Sequence, residues 1–410
     1  MRALFSGFHP VIQIVYLVAI LFVPALLGMT VLSLLFQKYF FRRRCLPHCD
    51  PAWRPRCTII LPVKGVPKDL ARNLAAYDAL DYPDYEVIIT VESDDDPAVA
   101  VATPLVERSP RISLVVAGLA TRCAQKNHNM LAAIRTASNP EVYVFADADI
   151  APSGHWLRSL VVPLSNRSLS ATTGFRWLIS KEGRIGELTH TNVNAFILVL
   201  FGFVSLLRLG SICWGGSMAI RRHDFEELKV AEKWARSGVD DISLSQVLVR
   251  NGRRSILVPD CITHTDDLIE TTAGTVNWCA RQIMFLKAYH RPLWLMLGAL
   301  WCVALLLQLL LPLAAVLALI GVCGFLACGG GAGAIFVLGD LLTTLLYRLM
   351  GPVPRMHRLV ALQPFFRTTH LASYAKTLFS RSIVWSGIRY TLAFNGDVTR
   401  VERLNQSDKQ

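Results

Sequence analysis

A long apolar run near the start of the chain most restricts what this sequence can fold into. Residues 11–36 carry no charged side chain and are followed by Lys38 and a basic cluster at residues 42–44. A helix of about 20 apolar residues crosses the hydrocarbon core of a bilayer, so the run predicts a membrane anchor. A cleaved signal peptide is the alternative, but the run is longer than an h-region and no small-residue cleavage site follows it. Segment 1–53 is therefore expected to be an N-terminal anchor. Its basic cluster predicts that the following domain faces the cytoplasm.

A second apolar block occupies residues 293–350 and is interrupted by three glycines at 329–331 and by Asp340. Its length fits two spans, at 293–321 and 332–347, joined by a tight turn at the glycines. The following segment, 351–410, is expected to form interfacial helices and a C-terminal tail. Its apolar part at 384–394 is too short to cross a membrane and mixes aromatic with basic side chains.

The composition agrees with a membrane protein. Of the 410 residues, 53% are hydrophobic and only 18% are charged, which is more apolar than soluble enzymes of this size. The net charge of +12 comes from Lys and Arg that flank apolar segments, which favours anionic lipid head groups and argues against nucleic acid. The ten cysteines lack CxxC and CxxH spacing, which argues against a zinc site and a disulfide framework. We expect a multi-pass protein of a bacterial inner membrane or of a Golgi or endoplasmic reticulum membrane; its oligomeric state is not predicted.

Between the apolar regions, residues 54–272 have the size of one domain and alternate strands with helices. This alternation predicts an α/β fold with a mostly parallel sheet covered by helices on both faces. The predicted strands are 57–63, 86–91, 112–116 and 142–146, and the predicted helices are 68–80, 97–107 and 126–136. Residues 192–209 form a further apolar helix, which either lies in the domain core or dips into the membrane beside a lipid; periodicity does not separate the two.

Acidic side chains recur along this domain, first after predicted strands. They are Glu92 with Asp94, Asp95 and Asp96, then Asp147 and Asp149, and finally Asp240 and Asp241. Open α/β sheets bind ligands at the carboxyl ends of their strands. Asp147 and Asp149 follow the strand at 142–146 with i, i+2 spacing, so together they can hold Mn²⁺ or Mg²⁺ against a diphosphate. The pattern therefore indicates a nucleotide-sugar transferase.

The other polar positions each allow two interpretations. Asp96 can accept hydrogen bonds from a nucleoside, whereas Asp94 and Asp95 cap the next helix or face solvent. Asp240 and Asp241 precede the helix at 242–249, where they either cap it or supply a general base that deprotonates an acceptor hydroxyl. Lys126 begins a helix and can pair with a phosphate there.

Taken together, these features resemble the ceramide glucosyltransferase family over nearly the whole chain. The resemblance rests on Leu80-Asp81-Tyr82-Pro83-Asp84-Tyr85-Glu86-Val87, Asp95-Asp96-Pro97-Ala98, residues 126–129, Asp147, Asp241 and Arg381-x-x-x-Trp385-x-x-x-Arg389-Tyr390. Members are membrane-bound inverting transferases with a GT-A domain that use UDP-glucose and a divalent cation. The resemblance implies a GT-A nucleotide-sugar-binding domain with N-terminal and C-terminal transmembrane helices. It also implies that Asp96 and Asp147 are the family's two conserved substrate aspartates and that Asp241 is the base.

The family also has a Gln/Arg-x-x-Arg-Trp signature on an interfacial helix, which corresponds here to segment 273–292. The matching residues are Arg281-Gln282-Ile283-Met284-Phe285, so the first Arg is kept while Met and Phe replace the later Arg and Trp. The resemblance implies that Arg281 lies near the diphosphate and that Phe285 keeps part of the aromatic packing. Lys287 or Arg291 is expected to supply the missing charge.

Trp214 begins a Trp-Gly-Gly-Ser stretch at 214–217 that is expected near the acceptor, because small residues let a sugar approach the backbone closely. The alternative is a tight turn before a strand at 218–220.

The predicted reaction moves a hexose, most simply glucose, from a UDP-sugar to a membrane lipid hydroxyl with inversion, and ceramide is the first acceptor to consider. Diacylglycerol or hopanoid acceptors and other UDP-sugars stay open, because related enzymes of the same build use them. A processive polysaccharide synthase would share the acidic series, but it would need more spans and an intact signature. A catalytically inactive membrane scaffold is the remaining alternative, prompted by Met284 and Phe285.

Overall fold

The computed structural model describes residues 10–319 and 323–404. Its main sheet has seven strands in the order β3-β2-β1-β4-β6-β5-β7. Their bounds are β1 Cys57–Pro62, β2 Tyr85–Val91, β3 Ile112–Val116, β4 Val142–Ala146, β5 Ala171–Leu178, β6 Ser217–Arg221 and β7 Ser255–Thr265. Strand β6 runs antiparallel to both β4 and β5, and the other neighbours pair in parallel. The predicted mostly parallel sheet is therefore confirmed, with one reversed strand that the sequence pattern did not indicate.

Helices cover this sheet and extend the chain at both ends. In chain order they are α1 Pro10–Leu35, α2 Leu70–Asp78, α3 Ala98–Arg108, α4 Gln125–Thr136, α5 Trp156–Val161, α6 Ile185–Leu207, α7 Arg222–Glu227, α8 Val230–Trp234, α9 Asp241–Arg250, α10 Thr272–Tyr289, α11 Arg291–Leu319, α12 Cys323–Met350, α13 Met356–Ala361 and α14 Gln363–Phe379. Every residue of β4 is buried, as expected for a central strand covered on both faces. The strands and helices predicted between residues 57 and 146 are present, with ends that differ by a few residues.

Four helical stretches in the described residues are long and apolar enough to cross a membrane. They are Leu17–His48, Ile185–Leu207, Arg291–Leu310 and Gly333–Met350. Small residues bring the helices close together: a Cβ at Gly202 of α6 would lie 2.1 Å from Ser33 Oγ of α1. Half of the apolar stretch of α6 is buried. This helix therefore lies between the sheet domain and α1 and is not wholly enclosed in the domain core.

The predicted glycine turn at 329–331 is wrong. These glycines lie inside α12, which begins at Cys323, whereas α11 ends at Leu319. The connection therefore falls at residues 320–322, outside the described residues. Glycine breaks helices in water, but it is more frequent in membrane helices than in soluble ones.

The C-terminal segment also differs from the expected interfacial helices and tail. After α13 and α14, the chain forms a three-stranded antiparallel sheet of β8 (Ser382–Trp385), β9 (Ile388–Leu392) and β10 (Val398–Arg403). Ser386 and Gly387 join β8 to β9 with positive φ angles of 49° and 74°, which is the geometry of a tight hairpin turn. The basic and aromatic residues at 384–394 belong to strands whose side chains point alternately to opposite faces, so that Arg389 is exposed and Tyr390 is buried.

Tyr289, at the end of α10, fastens this small sheet to the main domain. Its hydroxyl donates to the Gly396 carbonyl oxygen at 2.7 Å and accepts from the Gly238 amide nitrogen at 3.0 Å. An ion pair between Lys233 and Asp397, at 2.7 Å, joins the same two units. The C-terminal sheet is thus held at one edge of the main domain by buried polar contacts.

Replacing Tyr289 with Phe should loosen the C-terminal sheet, because it removes both hydrogen bonds of the hydroxyl, each worth about 0.5–1.5 kcal/mol, and leaves the Gly238 amide and the Gly396 carbonyl with their longer direct bond at 3.2 Å. Hydrogen exchange followed by mass spectrometry should show faster exchange across residues 382–403. The exposed Tyr39, changed to Phe, is the matched control and should leave exchange there unchanged. Equal protection in the Tyr289 variant and the native chain would contradict this role.

Candidate active site

A cleft of about 190 Å³ opens at the carboxyl ends of β1 and β4, facing the C-terminal sheet. Its lining comes from the loop after β1, the first turns of α4, the acidic residues after β4 and the β8–β9 hairpin. The residues are Pro62, Val63, Lys64, Pro67, Gln125, Lys126, Asn129, Asp147, Ala148, Asp149, Trp385, Ser386, Ile388 and Tyr390. The cleft therefore lies where an open α/β sheet places its ligand.

Lys126 lies at the centre of the polar groups. Its Nζ is 2.8 Å from Asp147 Oδ1, 3.1 Å from Asp240 Oδ2 and 3.2 Å from the Gly215 carbonyl oxygen. Burial lowers the pKa of Lys126, but the charges of Asp147 and Asp240 outweigh it and raise that pKa, so the side chain stays protonated. Asp240, expected to cap the helix at 242–249 or to supply a base, has a buried side chain that is 4% exposed and accepts no capping hydrogen bond from that helix in the described residues. Lys126 compensates the buried charge and holds the two carboxylates beside each other.

Arg176 of β5 pairs with Asp149. Its guanidinium also lies over the Trp214 ring, 5.7 Å from the ring centre. Burial raises the pKa of Asp149, and the charge of Arg176 offsets only part of this effect. Arg176 was not predicted from the sequence, because it belongs to no motif. The strand order β4-β6-β5 is what brings it close to Asp149.

The carboxylates after β4 fit a hard divalent cation. Asp149 Oδ1 is buried and has no hydrogen-bond partner within the described parts of the chain. The four neighbouring carboxylates, Asp147, Asp149, Asp240 and Asp241, outnumber the two cationic side chains beside them, Lys126 and Arg176. An unpaired buried carboxylate oxygen is costly, and oxygen ligands with excess negative charge are what Mg²⁺ and Mn²⁺ prefer.

Asp241, the first residue of α9, points toward the turn before β6. Its Oδ2 accepts a hydrogen bond from the Gly215 amide at 3.0 Å, and its Oδ1 accepts one from the Ile242 amide at 2.7 Å. Burial and the charge of Asp240 raise the pKa of Asp241 to about 7. A carboxylate with a pKa near neutrality can take up a proton at physiological pH, which is the property of a general base.

Gly215 lies in the tight turn that links Lys126, Asp240 and Asp241. The turn closes with a hydrogen bond from the Ser217 amide to the Trp214 carbonyl at 3.1 Å, immediately before β6. A Cβ on Gly215 would lie 2.1 Å from Asp240 Oδ2 and 2.9 Å from Lys126 Nζ. The alternative interpretation of 214–217 as a turn is confirmed, and its small residues make room for the protein's own carboxylate.

Replacing Gly215 with Ala should push the Asp240 carboxylate away from Lys126. Crowding of this kind costs about 1–3 kcal/mol, so the melting temperature of the purified protein should fall. Gly154 is the matched control, since a Cβ there meets nothing within 4 Å, and its Ala variant should melt like the native chain. Equal melting of both variants would show that the turn tolerates the added methyl group.

Asp96 is not among the residues that line the cleft. Its Oδ1 accepts from the Gly65 amide at 2.9 Å and from the Ala98 amide at 2.9 Å. It thereby caps the start of α3 and fixes the loop that carries Lys64 into the cleft. The predicted contact between Asp96 and a nucleoside stays a prediction.

Residues 281–285, which match the family signature, lie in two environments: Arg281 is beside the cleft, whereas Met284 and Phe285 are in an apolar cluster. The Arg281 guanidinium lies 5.9 Å from the ring centre of Trp385, which lines the cleft. Burial lowers the pKa of Arg281 to about 10, and no carboxylate pairs with it in the described residues. Arg281 thus lies beside a cleft-lining residue without a carboxylate partner in the described residues, and its predicted contact with a diphosphate stays a prediction.

Met284 and Phe285 have a different position from the one expected. Both are buried in an apolar cluster with residues of the C-terminal sheet, such as Ile388 and Tyr390, so Phe285 packs that sheet and does not line the cleft. Lys287 does not supply the missing charge, because its ammonium group donates to backbone carbonyls at the end of α14. Arg291 lies over Phe394 at 5.0 Å instead.

Comparison with known proteins relates most of the chain to one family. A profile described as Glycosyl transferase family 21 matches residues 18–398. Ceramide glucosyltransferase 1 of Caenorhabditis elegans is 21% identical over 243 residues, which cover 58% of this chain and 50% of that protein. The ceramide glucosyltransferase of Komagataella phaffii is 36% identical over 73 residues, which cover 18% of this chain and 14% of that protein. The chain therefore matches half or less of the length of these relatives.

A solved structure has a similar fold over most of the chain. A mannosyltransferase from Pyrobaculum calidifontis, in complex with GDP-Man and Mn²⁺, is 19% identical, with a TM-score of 0.52 over 89% of this chain and 99% of that one. This likeness concerns the fold. The expected GT-A architecture with added apolar helices is confirmed.

Proposed function

The chain belongs to glycosyl transferase family 21, and from that premise we propose that it moves one hexose from a UDP-sugar to the hydroxyl group of a membrane lipid. Glucose is the proposed sugar and ceramide the first acceptor, since the curated relatives are ceramide glucosyltransferases. The observation that carries the transfer chemistry is the buried Asp241, with its pKa near 7, beside carboxylates that fit a divalent cation.

The donor's diphosphate lies at the carboxyl ends of β1 and β4 in this proposal. Asp147 and Asp149 would hold Mn²⁺ or Mg²⁺, and the bound ion would neutralise the diphosphate and stabilise the departing nucleotide. Lys126 and Arg281 contribute positive charge on either side of the cleft, and Asp96 fixes the loop that faces the nucleoside. Trp385 covers the cleft from the β8–β9 hairpin.

Asp241 takes the proton of the acceptor hydroxyl while the hydroxyl oxygen attacks the anomeric carbon. The new carbon–oxygen bond forms as the bond to the diphosphate breaks, so the anomeric configuration inverts. The Gly215 and Ile242 amides orient the carboxylate, and Asp240 keeps its pKa high enough to accept the proton.

Membrane attachment supports a lipid acceptor. The described residues contain four helices that could cross a membrane, and a processive polysaccharide synthase would need more spans to form an export channel. The basic cluster after α1 favours a catalytic domain on the cytoplasmic face. We therefore place the lipid acceptor at the junction of the sheet domain and these helices.

The test is a product assay with the purified full chain in detergent. UDP-glucose, UDP-galactose, UDP-glucuronate and UDP-N-acetylglucosamine are each offered with ceramide, diacylglycerol or a hopanoid, and the lipids are analysed by mass spectrometry. We expect one lipid class to gain one hexose, with loss of product on chelation and recovery on adding Mn²⁺ or Mg²⁺. UDP release with no glycosylated lipid in any mixture would overturn the acceptor class.

A further inference from the structure

A second cavity, of about 170 Å³, lies where the helix that continues α1 (Phe36–Cys45), the end of α6 and the start of β7 meet. It shares no lining residue with the active-site cleft. Its lining residues are Phe36, Phe40, Arg44, Cys45, His48, Asn166, Ser168, Leu169, Ser205, Leu206, Arg208, Gly210, Arg254, Ser255 and Ile256. We call it the arginine cavity, after Arg44, Arg208 and Arg254.

The positive charge of the arginine cavity is not neutralised by the protein. No Asp or Glu lines it, and none of its three arginines pairs with a carboxylate in the described residues. Neighbouring arginines do have partners: Arg42 pairs with Asp260 at 2.8 Å and Arg253 pairs with Glu227 at 2.8 Å. Burial, and after it the charge of Arg208, lowers the pKa of Arg254, as expected when like charges converge.

Arginine side chains that line one cavity without carboxylates suit a phosphate, because the planar fork of guanidinium donors matches two phosphate oxygens. Asn166 and Ser168 add neutral polar groups to the same wall. The volume is several times the ~30 Å³ that one water molecule occupies in the liquid, which leaves room for a phosphate group.

The cavity also lies at the ends of two helices that are long and apolar enough to cross a membrane. Helices α1 and α6 cross closely at Ser33 and Gly202, and both run toward the cavity. Leu207 and Leu209, on either side of Arg208, are 44% and 67% exposed. Apolar side chains beside a cationic pocket at the end of membrane helices suit an amphiphile, with its phosphate in the pocket and its acyl chains along the helices.

We propose that the arginine cavity binds a phosphate group carried by an anionic membrane phospholipid, at a site separate from the one that transfers the sugar. Arg208 and Arg254 hold the phosphate from the domain side and Arg44 from the end of the anchor. The bound lipid then links the anchor to the catalytic domain, and this proposal does not depend on the identity of donor or acceptor.

The test measures the melting temperature of the full chain in detergent as phosphatidylglycerol, phosphatidylcholine or inorganic phosphate is added. We expect saturable stabilisation by phosphatidylglycerol, because a ligand that binds only the folded state raises its stability. The double variant Arg208→Gln, Arg254→Gln should need at least tenfold more lipid for half of the effect. The matched control is Arg167→Gln, an exposed arginine beside Asn166 that does not line the cavity, and it should respond like the native chain.

Equal lipid responses of the native chain and the double variant would overturn the site. Stabilisation by inorganic phosphate as effective as that by phosphatidylglycerol would keep the phosphate site but overturn its assignment to a lipid. If the double variant does not fold, each single variant replaces it, with an expected threefold or greater loss of apparent affinity. Native mass spectrometry of retained phosphatidylglycerol provides the same comparison without heating.

Discussion

Changing Asp241 to Asn should lower kcat for sugar transfer by about a thousandfold, within the range of 10²- to 10⁴-fold that a general base contributes. The amide keeps the size of the carboxylate and can still accept the Gly215 hydrogen bond, but it cannot take up the proton of the acceptor hydroxyl. The measurement is single-turnover transfer at saturating donor. The exposed Asp94, changed to Asn, is the control and should keep the native rate. Near-native turnover by a folded Asp241 variant would show that another group is the base.

The pH dependence follows from the same group. Because burial and Asp240 raise the pKa of Asp241 to about 7, kcat/KM should rise as pH increases through about 7, where the carboxylate loses its proton. Below that pH the base is protonated and transfer slows tenfold per pH unit. The Asn variant should lose this limb of the profile. A native profile that is flat between pH 6 and 8 would contradict the assignment.

Stability should change in the opposite sense to activity. The native pKa of Asp241 is raised from an ordinary value of 3.8, so its stabilising contribution is present below that value and is lost as pH rises through about 7. The Asn variant avoids this loss and should melt at a higher temperature than the native chain at pH 8, with a smaller difference at pH 5. An inactive variant that is more stable at pH 8 would show that the lost activity does not come from misfolding.

Changing Asp147 to Asn should abolish binding of the divalent cation and lower transfer at least a hundredfold. The substitution removes one carboxylate of the pair and leaves Lys126 with Asp240 as its remaining close partner, so less negative charge faces the cation. Calorimetric titration with Mn²⁺, without donor or acceptor, measures this independently of activity. The exposed Asp95, changed to Asn, is the matched control. Native Mn²⁺ affinity in the Asp147 variant would overturn the metal site.

The part of the fold that depends on local pattern was predictable from the sequence. Strands β1 to β4 and the helices between them follow from apolar runs that alternate with helical ones, and the carboxylates at their ends follow from strand position. The reversed strand β6 was not predictable, because a buried strand has the same apolar composition in either direction. Arg176 was missed for the same reason, since only the strand order brings it to Asp149, 27 residues earlier in the chain.

The contribution of the C-terminal sheet to the cleft was beyond sequence reasoning. The Tyr390 hydroxyl accepts a hydrogen bond from the Gln125 amide across 265 residues, and Trp385 brings an aromatic ring over Arg281. The resemblance identified Trp385 and Tyr390 as a motif, but the basic and aromatic mixture suggested an interface with lipid. Met284 and Phe285, which stand where the signature has Arg and Trp, lie in a buried apolar cluster. The aromatic neighbour of Arg281 is Trp385 of the C-terminal sheet.

The anomeric configuration of the glycolipid product tests the proposed chemistry most directly. Proton NMR of the purified product distinguishes an axial from an equatorial linkage at the transferred sugar. Direct attack by a hydroxyl that Asp241 deprotonates gives the configuration opposite to that of the UDP-sugar. A product that retains the donor's configuration would contradict a single displacement with Asp241 as its base.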